Sequence, residues 1–129
     1  MKTKYTILMA MLGGFALGAI AVQALHAQAK PAAYGIAEVT VNNQDAYGKE
    51  FLPLVQKTIA DSGGKFLAAG GKTEALQGTP PAPRVVLIQW PNLDAADAWW
   101  NAAATKEAFK VGQKYATFRN YVIEGVPAK

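Results

Sequence analysis

The sequence predicts an α+β fold of ferredoxin-like β-α-β-β-α-β order, a four-stranded antiparallel sheet with helices on one face. Three observations carry this expectation. Four short runs of β-branched and aromatic residues alternate with two stretches whose apolar residues recur at helical spacing. Apolar residues make up 51% of the 129-residue chain, enough for the core of one domain and too much for long-range disorder. Gly and Pro clusters fall between the runs, where turns must be.

The first strand is Tyr34-Gly-Ile-Ala-Glu-Val-Thr-Val41. Its alternation puts Ala37, Val39 and Val41 on one face and Ile36, Glu38 and Thr40 on the other. Asn42-Asn43 supplies cap chemistry for a helix over Gln44–Ser62, with Asp45 in the first turn and Tyr47, Phe51, Leu54, Val55 and Ile59 on the apolar stripe. Pro53 removes one backbone bond and should bend that helix, and Gly63-Gly64 ends it with a left-handed cap. Lys65-Phe-Leu-Ala-Ala69 is the second strand, with a bulge or bend at Gly70-Gly71 before it resumes over Lys72–Gln77. Gly78-Thr-Pro-Pro-Ala-Pro83 is a stiff loop. Arg84-Val-Val-Leu-Ile-Gln-Trp90 is the most apolar strand and belongs at the sheet centre. Asn92 caps a helix through Asp94 and Asp97 to Trp99 and Trp100, and Thr105 caps a second helical piece over Lys106–Ala116. Phe118–Glu124 closes the sheet.

The first 29 residues read as an address. Lys2 and Lys4 precede an apolar stretch from Tyr5 to Val22, and Ala27 and Ala29 form an A-x-A site, the pattern of a secretory signal peptide. Cleavage after Ala29 leaves residues 30–129 as a single exported domain, periplasmic or secreted. The competing expectation is an uncleaved anchor of residues 5–22 in the inner membrane, since about 17 apolar residues can span a bilayer. Contact with the membrane is expected only in that case. The formal charge of +4 comes from 13 Lys and Arg against 9 Asp and Glu. Without Lys2 and Lys4, 11 cations face the same 9 acids, so the domain carries +2 and has no basic patch for nucleic acid. His26, the single histidine, leaves with the leader.

Because both faces of the strands are largely apolar, the face without helices needs a cover. A second copy is the simplest one, so a homodimer through the open sheet face is expected.

Several motifs recur together in one order. They are Tyr34-x-x-x-Glu38-Val39-x-Val41, the Tyr47-containing helix, Gly63-Gly64-Lys65-Phe66-Leu67, Gly70-Gly71, Leu76-x-Gly78, Arg84-Val85-Val86, Trp90-Pro91-Asn92-Leu93, Ala96-x-Ala98-Trp99, Phe109, Lys114-Tyr115, Phe118-Arg119 and Glu124-Gly125. With them the chain resembles the bacterial family called domain of unknown function 1330 (DUF1330), in its secreted branch, over Tyr34 to Pro127. The resemblance implies a dimeric α/β-barrel, in a superfamily that also holds antibiotic-biosynthesis-type monooxygenases and haem-handling relatives. It transfers a fold and no catalytic residue. One departure is visible: many relatives carry a basic residue just before the paired glycines, where this chain has Ala69.

The residue inventory narrows the chemistry. With no Cys there is no disulfide, thiol nucleophile or Cys-ligated metal site. The exported domain would hold no histidine, which removes His ligation of haem and leaves Ser62, its only serine, without a triad partner. The glycine pairs lack phosphate-loop spacing and serve turns. No cofactor or metal is called for, and Asp94 and Asp97 suit the helix N-terminus better than a cation. What remains is a crowd of rings that could bind a small apolar or aromatic molecule between helices and sheet. Tyr47, Trp99, Trp100 and Arg119 are the expected pocket residues, with Glu38 as the polar handle. Adjacent on a helix, Trp99 and Trp100 point about 100° apart, so one should be buried and the other more exposed. Two alternatives stand beside this. One is a cofactor-independent oxygenase or isomerase using a carboxylate (Glu38, Glu124) or a Tyr as base; it fails if Glu38 and Glu124 both prove solvent-facing or ion-paired at the interface, Glu38 for instance with Arg119 or Arg84. The other is a structural dimer module whose cleft is filled by its own side chains.

Overall fold

Strand β1 (Ala33–Val41) and strand β3 (Arg84–Trp90) lie side by side in the middle of a four-stranded antiparallel sheet, with β2 (Lys65–Ala69) at one edge and β4 (Ala116–Glu124) at the other. The computed structural model describes residues 30–127, within which Ala32–Val126 is one compact unit. The spatial order β2-β3-β1-β4 is the ferredoxin-like one. The proposed leader, its cleavage signal at Ala27 and Ala29 and the alternative anchor all lie outside the described residues. Among the described residues, no helix is long and apolar enough to cross a membrane.

Between β1 and β2 the chain forms a short helix α1 (Gln44–Ala46), a π-helical segment (Tyr47–Phe51) and helix α2 (Leu52–Asp61). Asn43 accepts the Ala46 N–H on its side chain at 3.1 Å, as its cap chemistry predicts. Pro53 lies at the start of a helix and not in its interior. It stands in the first turn of α2, directly after the π-helical segment, where the Leu52 N–H donates to the Tyr47 carbonyl five residues back. The wide turn absorbs the missing donor. Tyr47, Phe51, Val55 and Ile59 are buried, whereas Leu54, expected on the same stripe, is 44% exposed. Gly63, with φ +84°, caps α2.

Two expected features are absent. The second strand does not resume after Gly70: residues 70–83 form neither helix nor strand, and the bulge lies earlier, between Phe66 and Ala68. Thr105 is no cap. Helix α3 (Leu93–Asn101) is followed at once by α4 (Ala103–Gly112), so Thr105 sits inside α4, fully buried. Its hydroxyl is buried without a hydrogen-bond partner among the described residues, so it caps nothing. Strand β4 also begins two residues before the expected Phe118.

The helices cover the sheet face that carries Val39, Val86, Ile88, Trp90 and Ala116, all buried. Cross-strand register puts Tyr34, Ile36 and Glu38 opposite Ile123, Tyr121 and Arg119 on the other face. That face has no helix over it, and Tyr121 and Ile123 are 45% and 58% exposed.

Candidate functional site

Aromatic rings make a continuous row between helices and sheet. Tyr47 meets Phe51 at 5.2 Å between centroids, and Phe51 meets Phe109 and Phe118 at 5.4 and 5.2 Å. Phe109 meets Trp100 at 5.2 Å, and Trp99 meets Trp90 at 4.9 Å. The tilted and edge-on geometries suit ring quadrupoles. Both buried indole N–H groups find hydroxyls on the last turns of α2 and just after it. Trp90 Nε1 donates to Ser62 Oγ at 2.8 Å, and Trp99 Nε1 donates to Thr58 Oγ1 at 3.0 Å. Each hydroxyl in turn donates a hydrogen bond to a backbone carbonyl, Ser62 to Ile59 and Thr58 to Val55. Ser62 is therefore a positioning group for Trp90, with its hydrogen-bonding capacity used on structure.

The rings do not fill the space they enclose. A cavity of about 90 Å³ is lined by Tyr47, Val55, Gln56, Phe66 and Arg84 among others, and a second lobe of about 220 Å³ by Gly35, Trp90, Trp100 and Val122. Ala37, Ile88, Trp99 and Asn120 border both spaces. Trp99 is 9% exposed and Trp100 38%, the unequal pair that adjacent helical positions require.

Of the five residues singled out from the sequence, Tyr47, Trp99 and Trp100 lie along this cleft. Glu38 and Arg119 do not: they are neighbours in the β1–β4 register on the opposite face. Arg119 Nη1 donates to Glu38 Oε2 at 2.9 Å, and the Ala82 N–H donates to Glu38 Oε1 at 3.1 Å. Both carboxylate oxygens are thus engaged, and the Glu38 side chain is only 17% exposed. Glu124, opposite Ala33 at the end of β4, is exposed. Neither lobe is lined by Asp or Glu. The expected carboxylate base is consequently missing from the cleft.

Glu38 pairs with Arg119, and Arg84, considered from the sequence only as a possible partner of Glu38, is instead a polar residue of the cleft. In β3 it shares the inward parity of Val86, Ile88 and Trp90, and its guanidinium lies 5.7 Å from the Tyr47 ring centroid. Burial pushes the Tyr47 phenol above its ordinary value, and the Arg84 cation beside it opposes the shift. Arg84 Nε is buried with no acceptor among the described residues. Gly70 makes the room: its φ is +74°, and a Cβ there would run into the guanidinium. The position before the paired glycines is Ala69, which lines the same cavity as Arg84. Strand parity alone, with Trp90 taken as inward, was the available signal.

Residues 32–126 match the family model described as domain of unknown function (DUF1330), and the chain belongs to that family. No curated protein matches it in sequence. Among solved structures it is similar to the methylated RPA0582 protein of Rhodopseudomonas palustris, at 15% identity and TM-score 0.61 over 75% of this chain and 82% of that one. A mutant of SnoaB, a cofactor-independent oxygenase from Streptomyces nogalater, is similar at 11% identity and TM-score 0.55, over 76% and 96%. A candidate antibiotic biosynthesis monooxygenase from Caulobacter crescentus is similar at 18% identity and TM-score 0.54, over 75% and 92%. At these identities the likeness is one of fold.

Proposed function

We propose that this member of the family is an exported homodimer that binds a small apolar or aromatic molecule in the cleft between sheet and helices. The observation that carries the proposal is the two-lobed, ring-lined cleft, which the chain's own side chains leave open. An open cleft argues against a module whose interior is filled by itself. The catalytic alternative has less support: the cleft lacks a carboxylate, and the raised Tyr47 phenol is a hydrogen-bond donor at neutral pH and a poor base. Support for the dimer comes from the apolar, helix-free face around Tyr34, Ile36, Tyr121 and Ile123. Support for export comes from the leader pattern of residues 1–29.

Ala37 offers a direct test because it lines both lobes. Ala37→Leu fills the cleft from the sheet side. A neutral aromatic probe such as benzyl alcohol should change Trp fluorescence in the native chain, and this response should disappear in the variant while its circular dichroism is kept. No response in the native chain would refute cleft binding. Export with cleavage predicts that the protein recovered outside the cytoplasm has a mass beginning at Lys30; an intact Met1 refutes it.

A further inference from the structure

The two arginines of the sheet are treated differently. Arg119 has Glu38 as its partner, whereas Arg84 pairs with no carboxylate among the described residues. Its neighbours are a phenol, a glycine backbone and apolar side chains, and its Nε hydrogen has no acceptor. A half-buried cation in such surroundings is costly unless an anion joins it. The space for that anion is at hand. Arg84 lines the cavity beside Tyr47 and also a second depression with Thr40, Gln44, Gly70 and Pro83, so its side chain borders both. No acidic side chain lines either space.

We infer that the Arg84–Tyr47 end of the cleft holds one carboxylate, and that the ligand class is a small monocarboxylic acid with an apolar or aromatic body. The inference rests on the cleft-binding reading and gives it a chemical class. One guanidinium balances one negative charge, and its planar fork matches a planar carboxylate. A phosphate dianion would remain half compensated in a lining with no second cation. Tyr47, kept protonated by burial, can accept from Arg84 while donating its own proton to the ligand. The body of the acid then runs inward past Val55 and Ile88 towards Trp99, where the second lobe admits its far end.

The test compares benzoate with its neutral isostere benzamide on the full chain, by ligand-observed NMR and Trp fluorescence. Benzoate should bind at least about tenfold more tightly. Arg84→Gln should abolish the difference by weakening benzoate alone, and Arg84→Lys should restore part of it. Tyr47→Phe should weaken benzoate a few-fold and leave benzamide unchanged, which keeps the test decisive if the arginine variant melts early. If benzamide binds as tightly as benzoate, or if Arg84→Gln keeps the preference, the carboxylate site is refuted and cleft binding stands. If neither probe binds, cleft binding itself is refuted and this inference falls with it.

Discussion

The two faces of the sheet are built from the same strands and settle their polar groups in opposite ways. On the face without helices, Glu38 and Arg119 neutralise each other across β1 and β4, and the apolar residues around them stay half-exposed. On the helix-covered face, rings and aliphatic side chains are buried, and the one arginine that points inward has no anionic partner within the unit. A paired charge amid exposed apolar surface suits contact with another protein surface, which must not meet an unbalanced charge. An unpaired charge at the end of a ring-lined apolar cleft suits a small molecule that brings the counter-charge.

Substitutions of different kinds separate the two faces. The largest effect is expected from Trp90→Ala. Its ring is 1% exposed and its N–H is bonded to Ser62, so about 3–5 kcal/mol of stability should be lost, seen as a large fall in the denaturant midpoint. An equal loss from Ile123→Lys would contradict the contrast between faces. That substitution lies at a 58% exposed position and should change the stability of a single copy by about 0.5 kcal/mol or less. Its effect should fall on assembly: sedimentation should show a dimer in the native chain and a shift towards monomer in the variant. The smallest expected effect is on pH dependence. The Tyr47 phenol is raised in the folded state above its ordinary value of 10.0, so the folded protein holds that proton after the unfolded chain has lost it. The contribution of neutral Tyr47 is therefore full below pH 10.0 and is lost as pH rises from there through the folded value. Tyr47→Phe should flatten the alkaline limb of a stability–pH profile, and an unchanged limb would show that the phenol is not buried as described.

Much of the architecture was legible because local chemistry and tertiary packing agree. Strands β2 and β3 run from Lys65 to Ala69 and from Arg84 to Trp90, apolar runs whose bounds are marked by Gly64, Gly70, Pro83 and Pro91. Asn92 caps α3 through the Ala95 N–H at 2.8 Å. Failures arose where an environment beyond the local sequence decides. Thr105 has cap chemistry, yet its position in α4 is fully buried. Lys72–Gln77 has no strand to pair with past Gly70, so it stays irregular. The π-helical segment has no sequence mark except Gly48 and the proline it accommodates. For the site, the aromatic content led to Tyr47, Trp99 and Trp100. The alternation in β1 already set Glu38 apart from Val39, and therefore from the cleft, while the same alternation in β3 put Arg84 inward. Charge type drew attention to Glu38 and Arg119; parity was the better guide.

The irregular loop of residues 70–83 begins at Gly70, against the Arg84 guanidinium, and near its end Ala82 is held by Glu38. It is thus a tether between the cation of one face and the anion of the other. If the proposed partner covers Glu38 and the proposed ligand occupies Arg84, each meets one end of this loop, and any effect of one on the other would have to be reciprocal.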